Sequence, residues 1–165
     1  MKWLQKYFMM NNKHENLLYS RVKSAQKGEN KTVIMKMKSG WAVLGDNQII
    51  PGYCLLLADP IVDSLNLLTI ERRTQFLSDM TVIGDALMKV LKVEIINYSI
   101  LGNADKGLHA HIHPRYEWEK DEFKKAPPWK YNFMKEIPVQ FDYERDNKLI
   151  EKIKKEIERI YFPKK

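Results

Sequence analysis

Three of the four histidines in this 165-residue chain lie in one short row, at positions 109, 111 and 113. Ala110 and Ile112 separate them. Residues two positions apart in a β-strand point to the same face, so the imidazoles would stand side by side while Ala110 and Ile112 enter the core. Packing gives no reason for such a row, because each half-buried imidazole needs its own hydrogen-bond partner. The row therefore indicates a site that binds a ligand or performs chemistry.

Two kinds of chemistry use histidines at this spacing. In the first, two imidazoles bind a metal ion such as zinc, but no carboxylate nearby has a spacing that would supply a third ligand. In the second, a neutral imidazole attacks phosphorus, and its neighbours donate hydrogen bonds to the phosphate oxygens. Histidine suits this role because it is nucleophilic near pH 7 without a metal. We expect no metal and no cofactor, with a metal-dependent enzyme as the alternative.

The row must be held by neighbouring strands, and alternating or β-rich runs predict them on both sides of a helix. Turn residues between successive runs favour antiparallel pairing. We expect Pro114 to end the last strand, because proline cannot donate a ladder hydrogen bond. The predicted strands are 32–38, 41–44, 53–58, 93–101 and 108–113.

Helical periodicity appears in two segments. Between Thr69 and about Lys92, apolar residues recur at steps of three and four, which predicts the main helix. A second amphipathic helix is predicted at about 144–161, and its isoleucine stripe either covers the sheet of the same chain or meets a second subunit. A short helix and a loop are expected within residues 1–31. The pattern predicts an α+β fold, an antiparallel sheet of about five strands with one long helix on a face plus terminal helices.

Composition narrows the class of protein. A chain with 44% hydrophobic residues is long enough for one core, so we expect a single domain over residues 1–165. Met1–Met10 lacks the pattern of a signal peptide, and no apolar run would span a membrane. The lone Cys54 has apolar neighbours, which fits a buried, inert thiol in a reducing cytoplasm.

The net charge of +7 predicts attraction to anions. Many lysines lie in the terminal segments, and no basic stripe is interleaved with aromatic residues, so the sequence does not favour nucleic acid as the partner. A phosphorylated small molecule fits the histidine row better. Charge alone does not identify the anion, and we expect no membrane partner.

The histidine row and its flanks resemble the histidine triad superfamily, specifically its bacterial dinucleoside-polyphosphate-hydrolase-like branch. The likeness runs from about residue 32 to 119, which leaves 120–165 as a C-terminal extension. It implies an α+β homodimer that hydrolyses a nucleoside polyphosphate or phosphoramidate through a nucleotidyl-histidine intermediate; a nucleotidyl transferase and a nucleotide-binding sensor or scaffold are the alternatives. The matching segments are Gly40-Trp41-Ala42-Val43-Leu44-Gly45-Asp46, Pro51-Gly52-Tyr53-Cys54-Leu55-Leu56, Leu101-Gly102-Asn103, Leu108-His109-Ala110-His111-Ile112 and Pro114-Arg115-Tyr116.

The resemblance allows two alignments of the triad. Read literally, the catalytic residues are His109, His111 and His113, with His111 as the central nucleophile. Family members usually have two residues between the third histidine and Pro-Arg, however, whereas His113 directly precedes Pro114. Alignment on Pro114 makes His109 the nucleophile, which we favour, and replaces the first histidine by Gly107. A backbone carbonyl or a neighbouring group would then have to orient His109.

The resemblance also implies supporting residues. Asn103 would bind phosphate through its amide, or it is a turn asparagine. Asp46 would accept hydrogen bonds from ribose, or it is an ordinary turn residue. Arg115 has the geometry to bind phosphate, although a surface ion pair with Glu117 or Glu119 is favoured.

Overall fold

The computed structural model describes residues 17–48, 50–103, 105–128 and 139–163. Met1–Met10, assessed above for a signal peptide, lies outside the described residues. The helices are α1 (Leu17–Gln26), α2 (Ile70–Leu91), α3 (Asp121–Lys124) and α4 (Tyr143–Tyr161). The strands are β1 (Val33–Lys36), β2 (Gly40–Leu44), β3 (Cys54–Ala58), β4 (Ile95–Ser99) and β5 (His109–Arg115).

The strands form one five-stranded antiparallel sheet in the order β1-β2-β3-β5-β4. β5 therefore lies between β3 and β4, and His111 has a paired residue in each of them. Leu57 pairs with His109, and Leu55 pairs with His111. The predicted α+β fold with about five antiparallel strands is confirmed.

The prediction that Pro114 ends the last strand is wrong. β5 continues to Arg115, and Pro114 pairs with Ile96 of β4. β3 pairs with β5 only from Cys54, opposite Ile112, so Pro114 has a β-strand on one side alone. A proline without an N–H is accommodated where no neighbouring strand requires that donor.

Helix α2 packs on one face of the sheet, as its apolar period predicts. Phe76, Ile83 and Leu87 are fully buried against Leu56, Ala110 and other strand residues. Thr69 caps its N-terminus by accepting a hydrogen bond from the Arg72 N–H. Gly84 costs helix propensity but makes room for Tyr98, because a Cβ there would lie 1.9 Å from the Tyr98 hydroxyl.

Helix α4 packs beside α2 and against β1. Ile150, Ile153 and Ile157 are buried in the same core. The isoleucine stripe therefore covers the sheet of the same chain, which is one of the two roles that the sequence left open. Cys54 is buried in this core as predicted, and burial raises the pKa of its thiol.

Helix α1 lies on the opposite face of the sheet. Leu18 and Val22 pack against Val43 and Leu57 in a second, smaller apolar cluster. This is the face from which the histidines of β5 project, so α1 forms one wall of the space in front of them.

Candidate functional site

The histidine row has the orientation that the two-residue period predicts. Ala110 and Ile112 are fully buried in the core. His109, His111 and His113 lie on the other face of β5 beside β3. The rings of His109 and His111 meet edge to face with centroids 4.8 Å apart.

A cavity of about 260 Å³ opens in front of this row, between α1 and the sheet. Its lining combines leucine and valine side chains with charged and amide groups. His109 and His111 line it, but His113 does not. The other lining residues are Leu17, Leu18, Arg21, Asn30, Thr32, Val43, Leu44, Asp46, Asn47, Tyr53, Leu55, Leu57 and Asp105.

His109 is held by the backbone of the loop that precedes β5. Its Nδ1 lies 2.9 Å from the carbonyl oxygen of Gly107. A carbonyl only accepts hydrogen bonds, so Nδ1 carries the proton and Nε2 of the neutral ring has a free lone pair. This contact is the orienting hydrogen bond that the alignment with Gly107 in the first triad position requires.

Gly107 itself is explained by its backbone and by α1. Its φ of +112° is rarely adopted by other residues, and a Cβ at this position would lie 2.2 Å from Cδ2 of Leu18. Leu18 therefore fills the space where a side chain of residue 107 would begin. A histidine does not fit at position 107 in this arrangement.

His111 makes its contact with Tyr53 at the start of β3. The Tyr53 hydroxyl oxygen lies 2.5 Å from Nδ1 of His111. Burial and the neighbouring His109 lower the pKa of His111 to about 4, against the opposing effect of Asp105. His111 is therefore neutral at physiological pH.

His113 is a packing partner rather than a wall of the cavity. Its ring stacks on Tyr53 with centroids 4.3 Å apart and planes 9° from parallel. Its Nδ1 is buried and has no hydrogen-bond partner among the described residues. Burial, with His111 and Arg115, lowers its pKa to about 3. Of the three predicted catalytic histidines, the structure brings two to the cavity.

The two predicted ligand-binding residues differ in position. Asp46 lines the cavity, where it forms an ion pair with Arg21 of α1. Asn103 is exposed in the loop between β4 and β5 and is not among the residues that line the cavity.

Arg115 forms the favoured ion pair with Glu119, but the pair is buried and not on the surface as expected. Its guanidinium contacts both carboxylate oxygens of Glu119, at 2.8 to 3.1 Å, and both side chains are buried. It also donates to Asn97 and to the carbonyl oxygens of Phe123 and Ala126. These contacts occupy both terminal nitrogens and the Nε of the guanidinium, so Arg115 connects the segment after β5 to the sheet.

Sequence reasoning missed several residues of the cavity wall. Arg21, Leu17 and Leu18 come from a helix about which the sequence says only that it is short, and no motif connects it to the histidines. Asp105 lies in a loop whose conformation has no sequence signature. Tyr53 precedes Leu55 and Leu57 at the two-residue period of a strand. Once β3 is known to pair with β5, this period predicts that Tyr53 lies on the same face of the sheet as the histidines.

No group of three or more histidine, cysteine, aspartate or glutamate side chains within the described ranges has a geometry that would hold a metal ion. The histidines at the cavity make other contacts, with a carbonyl and a phenol. In the described part of the chain, no helix is long and apolar enough to span a membrane.

Comparison with known proteins relates this fold to solved structures. A scan against protein-family models gives no match. A search among curated proteins gives none either.

A histidine triad protein from Marinobacter aquaeolei VT8 is 19% identical, with a TM-score of 0.65 over 77% of this chain and 88% of the other. A hypothetical histidine triad nucleotide-binding protein from Sulfolobus tokodaii strain7 is 14% identical, with a TM-score of 0.66 over 86% and 93%. The diadenosine triphosphate hydrolase of Plasmodium falciparum is 16% identical, with a TM-score of 0.55 over 78% of each chain.

These similarities agree with the α+β fold described above. The resemblance predicted from the sequence motifs is therefore confirmed at the level of the fold, whereas the bacterial branch stays a prediction. This chain has the fold of the histidine triad proteins.

Proposed function

We propose that this protein is a nucleotide phosphohydrolase that uses His109 as its nucleophile. The observation that carries the proposal is the hydrogen bond from His109 Nδ1 to the Gly107 carbonyl, 2.9 Å long, in a ring that lines the cavity. This bond leaves the lone pair on Nε2, the atom that would attack phosphorus. It supports the alignment in which His109, not His111, is the central residue.

The reaction has two steps. Nε2 of His109 attacks the α-phosphorus of a nucleoside polyphosphate or phosphoramidate. A P–N bond forms, and the bond from phosphorus to the leaving oxygen or nitrogen breaks while a protonated group or solvent gives a proton to the leaving group. Water then attacks the same phosphorus, the P–N bond breaks, and the nucleoside monophosphate is released while the water proton goes to solvent or to a cavity base. A second phosphate in place of water would make the enzyme a nucleotidyl transferase.

The mixed lining of the cavity suits both the base and the polar groups of a nucleotide. The leucine and valine side chains beneath α1 would contact the base, and Asp46 at the wall would accept hydrogen bonds from ribose after separating from Arg21. Arg21 would then be a cation near an anionic ligand. The phosphate-binding role of Asn103 stays a prediction.

The fold supports this assignment, because one similar structure is named a diadenosine triphosphate hydrolase and another a nucleotide-binding protein. A nucleotide-binding sensor with little turnover is the second candidate. It is favoured by the burial of His109, only 7% exposed beneath α1, which limits access to the nucleophile.

We also propose that the protein forms a homodimer. β4 is an edge strand, and apolar side chains on and just after it are exposed, with Ile95 at 59% and Leu101 at 46%. An apolar sheet edge of this kind tends to pair with another chain. The predicted cytoplasmic location also stays a proposal, which fractionation of producing cells would test.

The test of function is turnover of diadenosine polyphosphates and an adenosine phosphoramidate by wild type, His109→Ala, His111→Ala and His113→Ala, with and without a chelator. We expect metal-independent cleavage that His109→Ala abolishes, that His111→Ala weakens strongly, and that His113→Ala weakens less. Mass spectrometry of rapidly quenched enzyme should find the nucleotidyl adduct on the peptide that contains His109.

Three outcomes would contradict the proposal. Nucleotide binding without cleavage would favour the sensor. Retained turnover in His109→Ala would make His111 the nucleophile. Inhibition by chelator would support the metal-dependent alternative.

A further inference from the structure

We infer that Tyr53 is a positioning residue that makes His111 a hydrogen-bond donor, so that the two imidazoles of the cavity hold opposite tautomers. The inference rests on the proposed function for its role in catalysis, but its structural content is independent of turnover. It concerns three side chains from two neighbouring strands, Tyr53, His111 and His113.

The first step is the contact between strands. Leu55 of β3 pairs with His111 of β5, so Tyr53, two residues earlier, lies on the same face and reaches the same ring. Its hydroxyl oxygen is 2.5 Å from Nδ1 of His111. The contact joins a mostly buried phenol to a ring that lines the cavity.

The second step identifies the donor. Burial raises the pKa of the Tyr53 hydroxyl above its usual range, so the phenol keeps its proton. That proton needs an acceptor, and no other partner for this hydroxyl is found among the described residues. Nδ1 of His111 therefore accepts it, and the proton of the neutral ring sits on Nε2.

The third step is the contrast with His109. There Nδ1 donates to the Gly107 carbonyl, 2.9 Å away, and Nε2 has the free lone pair. One imidazole of the cavity thus offers a lone pair and the other an N–H. These are the two functions that attack on a phosphate requires, a nucleophile and a donor to a phosphoryl oxygen.

The fourth step gives His113 a function. Its ring stacks on Tyr53 at a centroid distance of 4.3 Å and holds the phenol in the plane needed for its bond to His111. A neutral, unprotonated His113 is the better stacking partner in this buried place, which agrees with its lowered pKa of about 3. The third histidine of the row supports the second one through tyrosine.

The arrangement also limits what His111 does in the reaction. If His111 gave its Nε2 proton away, it would take the phenol proton at Nδ1 and leave a buried tyrosinate. The raised pKa of Tyr53 opposes this transfer. His111 therefore donates a hydrogen bond and keeps its proton. The ionisable groups that face this pair are His109, Asp105 and Asp46, and the Cys54 thiol next to Tyr53 lies in the core.

The experiment is nitrogen-15 NMR of the histidine rings in the full chain at pH 7, assigned with His111→Ala and His113→Ala. We expect a protonated Nε2 and an unprotonated Nδ1 for His111, and the reverse for His109. In Tyr53→Phe, His111 should become a mixture of tautomers. Turnover should fall about tenfold, the effect of one hydrogen bond, mainly in kcat.

Tyr116→Phe is the matched control. It also removes a phenol hydrogen bond, to the Pro51 carbonyl, but Tyr116 does not line the cavity. It should leave the His111 tautomer and kcat unchanged. His113→Phe keeps an aromatic ring against Tyr53 and should keep the His111 tautomer, whereas His113→Ala should disturb it.

The outcomes separate this inference from the proposed function. A proton on Nδ1 of His111 in the wild-type protein would overturn the inference, whatever the activity. This measurement needs no variant that might fail to fold. The expected tautomers in a protein that cleaves none of the nucleotides would overturn the function and leave the positioning role intact. An unchanged kcat in an active, folded Tyr53→Phe would overturn the catalytic part.

Discussion

At the scale of residues, the candidate site consists of imidazoles that differ in their contacts. His109 bonds to a carbonyl, His111 bonds to a phenol, and His113 stacks on the same phenol ring. Identical side chains at equal spacing on one strand therefore have different environments. The difference arises from β3 and the loop before β5, not from the row itself.

The lowered pKa values of His111 and His113 predict how stability changes with pH. The pKa of both groups is about 6.5 in an unfolded chain and about 4 and 3 in the folded one. Below pH 6.5 the unfolded chain therefore binds more protons than the folded chain. The contribution of these two histidines to the free energy of unfolding is complete above pH 6.5 and is lost as the pH drops towards 4. Urea denaturation at several pH values measures this slope. His113→Phe should flatten it, and an unchanged slope would show that His113 titrates normally.

At the scale of elements, the site depends on how closely α1 approaches the loop before β5. Leu18 packs where a side chain of residue 107 would otherwise begin. The same helix carries Arg21, which pairs with Asp46 on the far wall of the cavity. α1 is thus part of the site, although it contributes no histidine.

Substitution of Gly107 tests this packing. Gly107→Ala should reduce the free energy of unfolding by about 1 to 3 kcal/mol, because its positive φ is strained for alanine and its Cβ would meet Leu18. Chemical denaturation measures the change. Gly102→Ala in the same loop is the control, since nothing lies within 4 Å of its Cβ position. Equal effects at the two glycines would contradict the packing argument.

Asp79 connects three elements around the core. This fully buried carboxylate on α2 accepts hydrogen bonds from the Ser39 backbone and hydroxyl, from Gln75 and from Tyr161 at the end of α4. Asp79→Ala leaves these donors without a partner and should cost about 2 to 4 kcal/mol of stability. Asp85→Ala, on the exposed side of α2, should change the thermal midpoint little. A similar loss in both variants would argue against the network.

At the scale of the whole molecule, the chain is a sheet with α2 and α4 on one face and α1 with the cavity on the other. The net charge of +7 favours attraction to anions. The exposed apolar side chains at the edge strand β4 are the feature that indicates association with a second copy of the chain.

Pairing of two copies along β4 predicts a defined change in mass. Wild type should be a dimer by light scattering coupled to gel filtration, and Ile95→Lys should shift it to monomer, because a buried lysine without a partner opposes association. Ile70→Lys is the control, as Ile70 is 75% exposed at the start of α2. A monomeric wild type, or a shift in the control as well, would contradict pairing through β4.

The sequence by itself determined the elements and the orientation of the histidine row. Apolar residues at period two and at periods three and four are local properties, so β3, β5, α2 and α4 were predicted within a few residues. The same period placed Ala110 and Ile112 in the core and the imidazoles on the other face. The motifs were long enough to indicate the fold by resemblance.

Only the tertiary structure decided which histidine has which environment. The Gly107 carbonyl, the Tyr53 hydroxyl and Leu18 of α1 come from three separate parts of the chain, and no local pattern relates them. Sheet order brings Tyr53 to His111, and helix packing closes the cavity over His109. Such contacts depend on how the elements assemble, because a hydrogen bond is set by the distance in space between two atoms and not by their spacing in sequence.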